Sequence, residues 1–250
     1  EAEDGKTIHK VELLTSEFDA QEDSPRKIVN VAWAGGGVRT FTSGGTQTPS
    51  GLGDGAYTTS GNLKFLAWCR FRGELFFTDG IDYRVYNPDT NTVAKWAATS
   101  VGQITERMKL LATWRNRIVL AHRDGNGNAW AMSAVEDAYD HDFAPSVPTL
   151  TQAVIGPLSK AGEAPDIINA LVPYNDDLLL VLCDHEIWRL TGDPMQDGEW
   201  DLISDITGGA FGRSWAKSPS GVVYFFGSRG GLYAMTPDGR IERISLSRVE

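Results

Sequence analysis

Ile167-Ile168-Asn169-Ala170-Leu171-Val172-Pro173-Tyr174-Asn175-Asp176-Asp177-Leu178-Leu179-Leu180-Val181-Leu182-Cys183-Asp184-His185-Glu186-Ile187-Trp188-Arg189-Leu190-Thr191-Gly192-Asp193-Pro194 reads as three short strands separated by polar turns. The runs 167–172, 178–182 and 187–190 are rich in Val, Ile, Leu and Trp, the side chains that fit a pleated, packed surface. Asn175-Asp176 and Asp184-His185 fall where hairpins turn, and Thr191-Gly192-Asp193-Pro194 closes the unit. A candidate fourth strand, 199–203, follows.

Three other passages follow the same plan. Working toward the N-terminus, a second unit starts at 108–114, turns at Arg115-Asn116, continues over 117–121, turns at 124–127 and resumes at 129–132. Before it, 63–68, 74–78 and 83–86 are joined by turns at Arg72-Gly73 and Asp79-Gly80. Toward the C-terminus, 214–217, 222–226 and 232–235 end in Thr236-Pro237-Asp238-Gly239. Fourth strands are expected at 92–98, 150–155 and 240–246. With Leu75, Ile118, Leu178 and Val222 taken as equivalent, the steps are 43, 60 and 44 residues. The long step is an insertion over 135–166, a Pro-, Ser- and Asp-bearing stretch that reads as loop.

A period of about 43 residues carrying four antiparallel strands predicts an all-β fold, a β-propeller of four-stranded blades with four to five units visible. A β-sandwich is the structural rival, but it gives no reason for every unit to repeat one order of aromatics and turns. A helix over 103–112 competes with a strand reading of the same residues. Upstream, 27–33 and 38–42 look like a partial unit, and either 7–14 or 27–33 could close the ring by pairing with a blade at the other end. The organisation expected is an acidic segment over 1–26, with an acidic linker at 17–25, followed by a propeller domain over 27–250. Residues 35–61 are rich in Gly, Thr and Ser, too poor in large apolar side chains for core, and predict a long exposed excursion.

Composition agrees with a globular chain. Of 250 residues, 41% are hydrophobic and 22% charged, enough for a sizeable core. No apolar stretch approaches the ~20 residues of a membrane span. The net charge is −10, of which residues 1–25 supply −6 through eight acids and two bases. No basic stripe of the kind that neutralises phosphates is present, so a grip on nucleic acid through its phosphates is not expected. Cys69 and Cys183 lie in apolar runs too far apart for a metal motif and read as core thiols.

Chemistry is sparse. Cys183-Asp184-His185 holds a nucleophile and a base, yet neighbours on a strand alternate faces and a turn intervenes. Asp124-Gly125-Asn126-Gly127-Asn128 imitates the start of a calcium loop, but Ala129 and Val135 stand where glycine and glutamate are needed. Ser214-Trp215-Ala216-Lys217 has S-x-x-K spacing without its companion motifs. Gly35-Gly36-Gly37 and Gly51-Leu52-Gly53-Asp54-Gly55 lack the Gly-Lys-Ser/Thr of a phosphate loop. His9, His122, His141 and His185 share no ligand spacing, and no N-x-S/T sequon occurs. Trp68, Trp114, Trp188 and Trp215 recur at equivalent positions, which predicts burial between sheets, with a carbohydrate stack as the other reading. No enzyme, cofactor or metal is expected. The candidate contact residues are loop aromatics: Tyr57, Tyr139 and Phe143.

Ala170-Leu171-Val172-Pro173-Tyr174-Asn175, the run 178–182, Glu186-Ile187-Trp188-Arg189-Leu190-Thr191-Gly192, Ile206-Thr207-Gly208-Gly209, Gly212-Arg213-Ser214-Trp215, the run 221–226 and Gly231-Leu232-Tyr233 together resemble tailed-bacteriophage virion proteins of the tail nozzle and hub, or packaged-DNA stabilisation, type. The pattern covers roughly residues 60–246. The resemblance implies a propeller-bearing structural protein of the virion, assembled in the host cytoplasm. Its partners would be other tail or head-to-tail proteins and copies of itself in a ring, with DNA passing nearby without specific binding. Two other classes compete: a receptor- or glycan-binding propeller at the tail tip, using the 35–61 and 135–166 loops, and a propeller hydrolase or lyase with acids and a histidine converging at the axis.

Overall fold

The computed structural model describes residues 66–87, 90, 92–98 and 102–245 in full, and four further strands as backbone. Among the described residues the chain forms twenty strands in five four-stranded antiparallel sheets, and within every sheet the strands lie in chain order. The first sheet comprises β1 (Ile8–Thr15), β2 (Ile28–Ala34), β3 (Gly37–Phe41) and β4 (Gln47–Pro49). The second comprises β5 (Ala67–Phe71), β6 (Glu74–Thr78), β7 (Tyr83–Asn87) and β8 (Thr92–Lys95). The third is β9 (Met108–Trp114), β10 (Arg117–Arg123), β11 (Asn126–Met132) and β12 (Val154–Ile155). The fourth is β13 (Ile168–Asn175), β14 (Leu178–Cys183), β15 (Ile187–Thr191) and β16 (Glu199–Ser204). The fifth is β17 (Trp215–Lys217), β18 (Val223–Phe226), β19 (Leu232–Met235) and β20 (Ile241–Arg243).

Several expectations shift. The partial unit at the N-terminus is a complete sheet, because β1 and, from the glycine-rich stretch, β4 join the two strands expected at 27–33 and 38–42. Among the described residues β1 pairs with β2, and β2 with β1 and β3, inside that sheet. Residues 108–114 are strand, as the competing reading of 103–112 had it. The linker at 17–25 lies outside the described residues. Among the described residues no helix is long and apolar enough to cross a membrane.

Contacts divide the chain into two compact units, Glu1–Ala97 and Ala98–Glu250. In the first, the second sheet buries Phe76 edge-on to Trp96, with ring centroids 4.9 Å apart, and Tyr83 edge-on to the same Trp96 at 5.6 Å. Its β6–β7 turn is built on Asp79, whose Oδ1 accepts from the backbone N–H groups of Ile81 and Asp82 at 3.0 and 2.8 Å.

The second unit shows how consecutive sheets stack. Trp114, Val119, Trp130 and Met132 of the third sheet pack on Leu171, Leu179, Val181 and Cys183 of the fourth. The opposite face of the fourth sheet, through Val172, Leu180, Leu182 and Ile187, packs on Val223, Phe225 and Met235 of the fifth. That two-sided burial explains why β14 is apolar throughout: from Leu179 to Cys183 neither face meets water. Each fully buried aliphatic contributes on the order of 1.5–3 kcal/mol. Aromatics also fasten sheet to sheet through their polar tips. Trp114 Nε1 donates to Asn175 O at 2.8 Å, and Tyr174 Oη donates to Gly221 O at 2.9 Å. Burial between sheets thus holds for Trp114 in full and for Trp188 and Trp215 in part, each half-buried against one of those two layers, and Trp68 is half-buried in the first unit.

Candidate interaction surface

The insertion leaves β11 at Met132 and returns to the sheet as β12, pairing Met132 with Val154 and Ala131 with Ile155. Only two residues of the expected strand 150–155 join the ladder, because the carbonyls before them are taken by a side chain. Arg117, at the start of β10, is 1% exposed. Its guanidinium donates to Ser133 O at 2.9 Å, to Leu150 O at 3.0 Å and to Gln152 O. Burial pulls its pKa down, with the more distant Asp193 opposing. A buried cation is tolerable when its fork meets several carbonyl oxygens.

The stem of the loop is pinned elsewhere too. Ala134 N donates to Asp140 O at 3.0 Å, Val135 N to Thr151 O at 2.8 Å and Glu136 N to Asn116 O at 2.7 Å. His141 is fully buried, with Nε2 3.1 Å from Ala138 O. Burial pushes its pKa down to about 4 against the upward pull of that carbonyl and of Asp140 and Asp137. Gly102 bridges to His141, and a Cβ at Gly102 would come within 2.1 Å of His141 O, so only glycine allows this approach. Beyond β12 the chain is tied back by Trp130 Nε1, which donates to Gly162 O at 2.9 Å.

Of the loop aromatics, Tyr139 and Phe143 are half-buried, and the Phe143 ring stands edge-on to His141 at 6.2 Å. Tyr57 lies outside the described residues. Sequence reasoning passed over the side chains that do project: Val147 at 73% exposure, Leu158 at 62% and Leu150 at 55%. The signal available was a run of prolines and apolar residues, Pro145 through Leu150, inside a segment with no lysine or arginine.

The chemical candidates are occupied by packing. Cys183 lies in the core between the third and fourth sheets, and burial drives its thiol pKa up. His185 stands exposed at the β14–β15 turn with Nδ1 3.6 Å from both Asp166 and Asp184. Nucleophile and base are therefore not brought together. Asp124 occupies the β10–β11 turn, where Lys109 Nζ at 2.8 Å holds its carboxyl below the usual range. In the S-x-x-K segment, Ser214 Oγ donates to Ala210 O at 2.7 Å and Lys217 Nζ to Tyr174 O at 2.6 Å. Among the described residues no group of three or more His, Cys, Asp or Glu is placed to hold a metal.

No family model and no curated protein matches this chain. Solved structures do. Two crystal structures of the extracellular domain of BT4673 from Bacteroides thetaiotaomicron are similar, one at 12% identity and TM-score 0.59 over 93% of this chain, the other at 10% and 0.58 over 94%. An auxiliary nutrient binding protein from the same organism is similar at 10% identity and TM-score 0.50 over 92% of this chain, and 56% of that protein is covered. The chain spans 28% of the length of the BT4673 structures. At these identities the likeness speaks to fold, and with the five sheets in chain order it makes this chain an all-β protein, a β-propeller of four-stranded antiparallel blades.

Proposed function

We propose that the chain is a non-enzymatic structural component of a tailed-bacteriophage virion, in the tail or head-to-tail region. Its loops meet neighbouring subunits around or near the DNA channel. One observation carries the non-enzymatic part: the residues with reactive potential, Cys183, Lys217 and Asp124, are each engaged in holding strands together. The virion part is supported by the resemblance, whose quoted residues 170–233 run from β13 to β19 and form two blades sharing one apolar layer. The net −4 of residues 26–250 suits a wall past which DNA slides without sticking. Partners are other tail or head-to-tail proteins and further copies of the chain in a ring.

Mass spectrometry and electron microscopy of purified particles test this reading. The chain should be present in fixed stoichiometry with the other tail proteins and should form rings at high concentration. Absence from particles, together with a monomer at every concentration, removes it. A second reading, a receptor- or glycan-binding blade set at the tail tip, is favoured by the apolar side chains that the insertion projects. Deleting residues 143–150 would then abolish adsorption to host cells while leaving particle assembly intact.

A further inference from the structure

From Ala134 to Ser159 the chain carries Glu136, Asp137, Asp140 and Asp142 and neither lysine nor arginine. Three of these carboxylates shape the loop itself. Asp137 Oδ1 accepts from Tyr139 N at 2.8 Å, Asp140 Oδ1 from Asp142 N at 2.9 Å and Asp142 Oδ1 from Ala144 N at 3.1 Å. Such successive side-chain turns fix the path of the outgoing strand. The returning strand is fixed by Arg117 on Leu150 O and Gln152 O, and by Thr149 N donating to Gln152 Oε1 at 2.9 Å. Between the two stems, Pro145 and Pro148 restrict the backbone on either side of Val147. Val147 and Leu150 are 73% and 55% exposed.

A single exposed valine is ordinary on a protein surface. Here it stands on a loop whose stems are already tied, so docking it costs little ordering entropy. We propose that the loop 136–150 is a docking knob for a partner protein whose cleft is apolar at its floor and lined with lysine or arginine at its rim. Val147 is the anchor, Leu150 widens the apolar contact, and the four acids steer the approach. The inference deepens the contact-module reading above by naming the contacting segment and the chemistry of what it meets.

The test places the photo-reactive residue p-benzoylphenylalanine at Val147, and separately at exposed Ser146, in the full chain within producing cells. Crosslinked peptides are then mapped by mass spectrometry. The expected result is crosslinks concentrated on one partner protein, at an apolar cleft bordered by basic residues. Their yield falls about tenfold in the triple variant Asp137→Asn, Asp140→Asn, Asp142→Asn, because asparagine keeps the oxygen that caps each turn and removes the charge. Crosslinks scattered over many proteins, falling on copies of this chain, or indifferent to the neutralised acids overturn the proposal. So does Val147-dependent binding to a glycan array. Particle composition is read separately. A basic-rimmed partner found outside particles leaves the knob standing and removes the virion reading, whereas scattered crosslinks on a chain present in particles do the reverse.

Discussion

The fourth and fifth blades share one plan and differ in how many faces they cover. In β14, Leu180 and Leu182 are 4% and 0% exposed because the next blade lies on them. Their counterparts in β18, Tyr224 and Phe226, are 40% and 56% exposed, while Val223 and Phe225 on the other face are buried. The pairings Ala216↔Tyr224, Tyr224↔Ala234 and Phe226↔Leu232 put those side chains on one open sheet face. An apolar residue in a blade strand therefore marks a packing position only when its face is known, and residue type does not reveal the face.

The comparison breaks if the two faces turn out energetically alike. Leu182→Ala should cost about 3 kcal/mol in urea unfolding of the whole chain, since it opens a cavity between two blades. Phe226→Ala should cost less than about 1 kcal/mol. Equal losses would mean the open face is covered in solution.

The pH dependence of stability sharpens the contrast by isolating the insertion. His141 is held neutral by burial, with a pKa lowered to about 4. The unfolded chain binds that proton near the ordinary value of ~6.5, so it holds more protons than the folded one between those limits. Stability is complete above pH ~6.5 and falls as pH drops toward ~4, by roughly 3 kcal/mol in all. Against wild type, a His141→Gln variant should lose that dependence, and hydrogen exchange should place the acid-induced opening at 134–152 rather than in β13–β20.

How far these differences could be read in advance depends on the range of the interactions. The unbroken run Leu178–Cys183 announces a strand buried on both faces, and turns such as Arg72-Gly73 announce hairpins, with φ of 48° and 79° in the structure. Those are local signals. The brevity of β12 is not local, because it follows from Arg117 reaching 33 residues along the chain to Leu150 O. Likewise β4 lies in a stretch whose glycines suggest a loop, since backbone pairing to β3 needs no large side chain. At the candidate surface, aromatic character pointed to Tyr139 and Phe143, yet amphipathic rings near a buried histidine settle partly inward, and the aliphatic Val147 takes the exposed place.

Two smaller effects complete the comparison. Tyr174→Phe removes the hydrogen bond to Gly221 O and should cost about 1 kcal/mol, with faster hydrogen exchange confined to β17–β20. Phe226→Ser should shift stability by no more than about 0.5 kcal/mol while lowering the binding of a hydrophobic dye. A larger dye signal after this substitution would show that the face had been covered.

The polar tips of Trp114 and Tyr174 do the same job one blade apart, each reaching from the end of its blade's first strand to a backbone carbonyl of the next blade. The fastening is thereby a property of each of these two neighbouring pairs of sheets. A lineage carrying such a fastener can gain or lose a repeat by duplication or deletion without redesigning the junctions that remain.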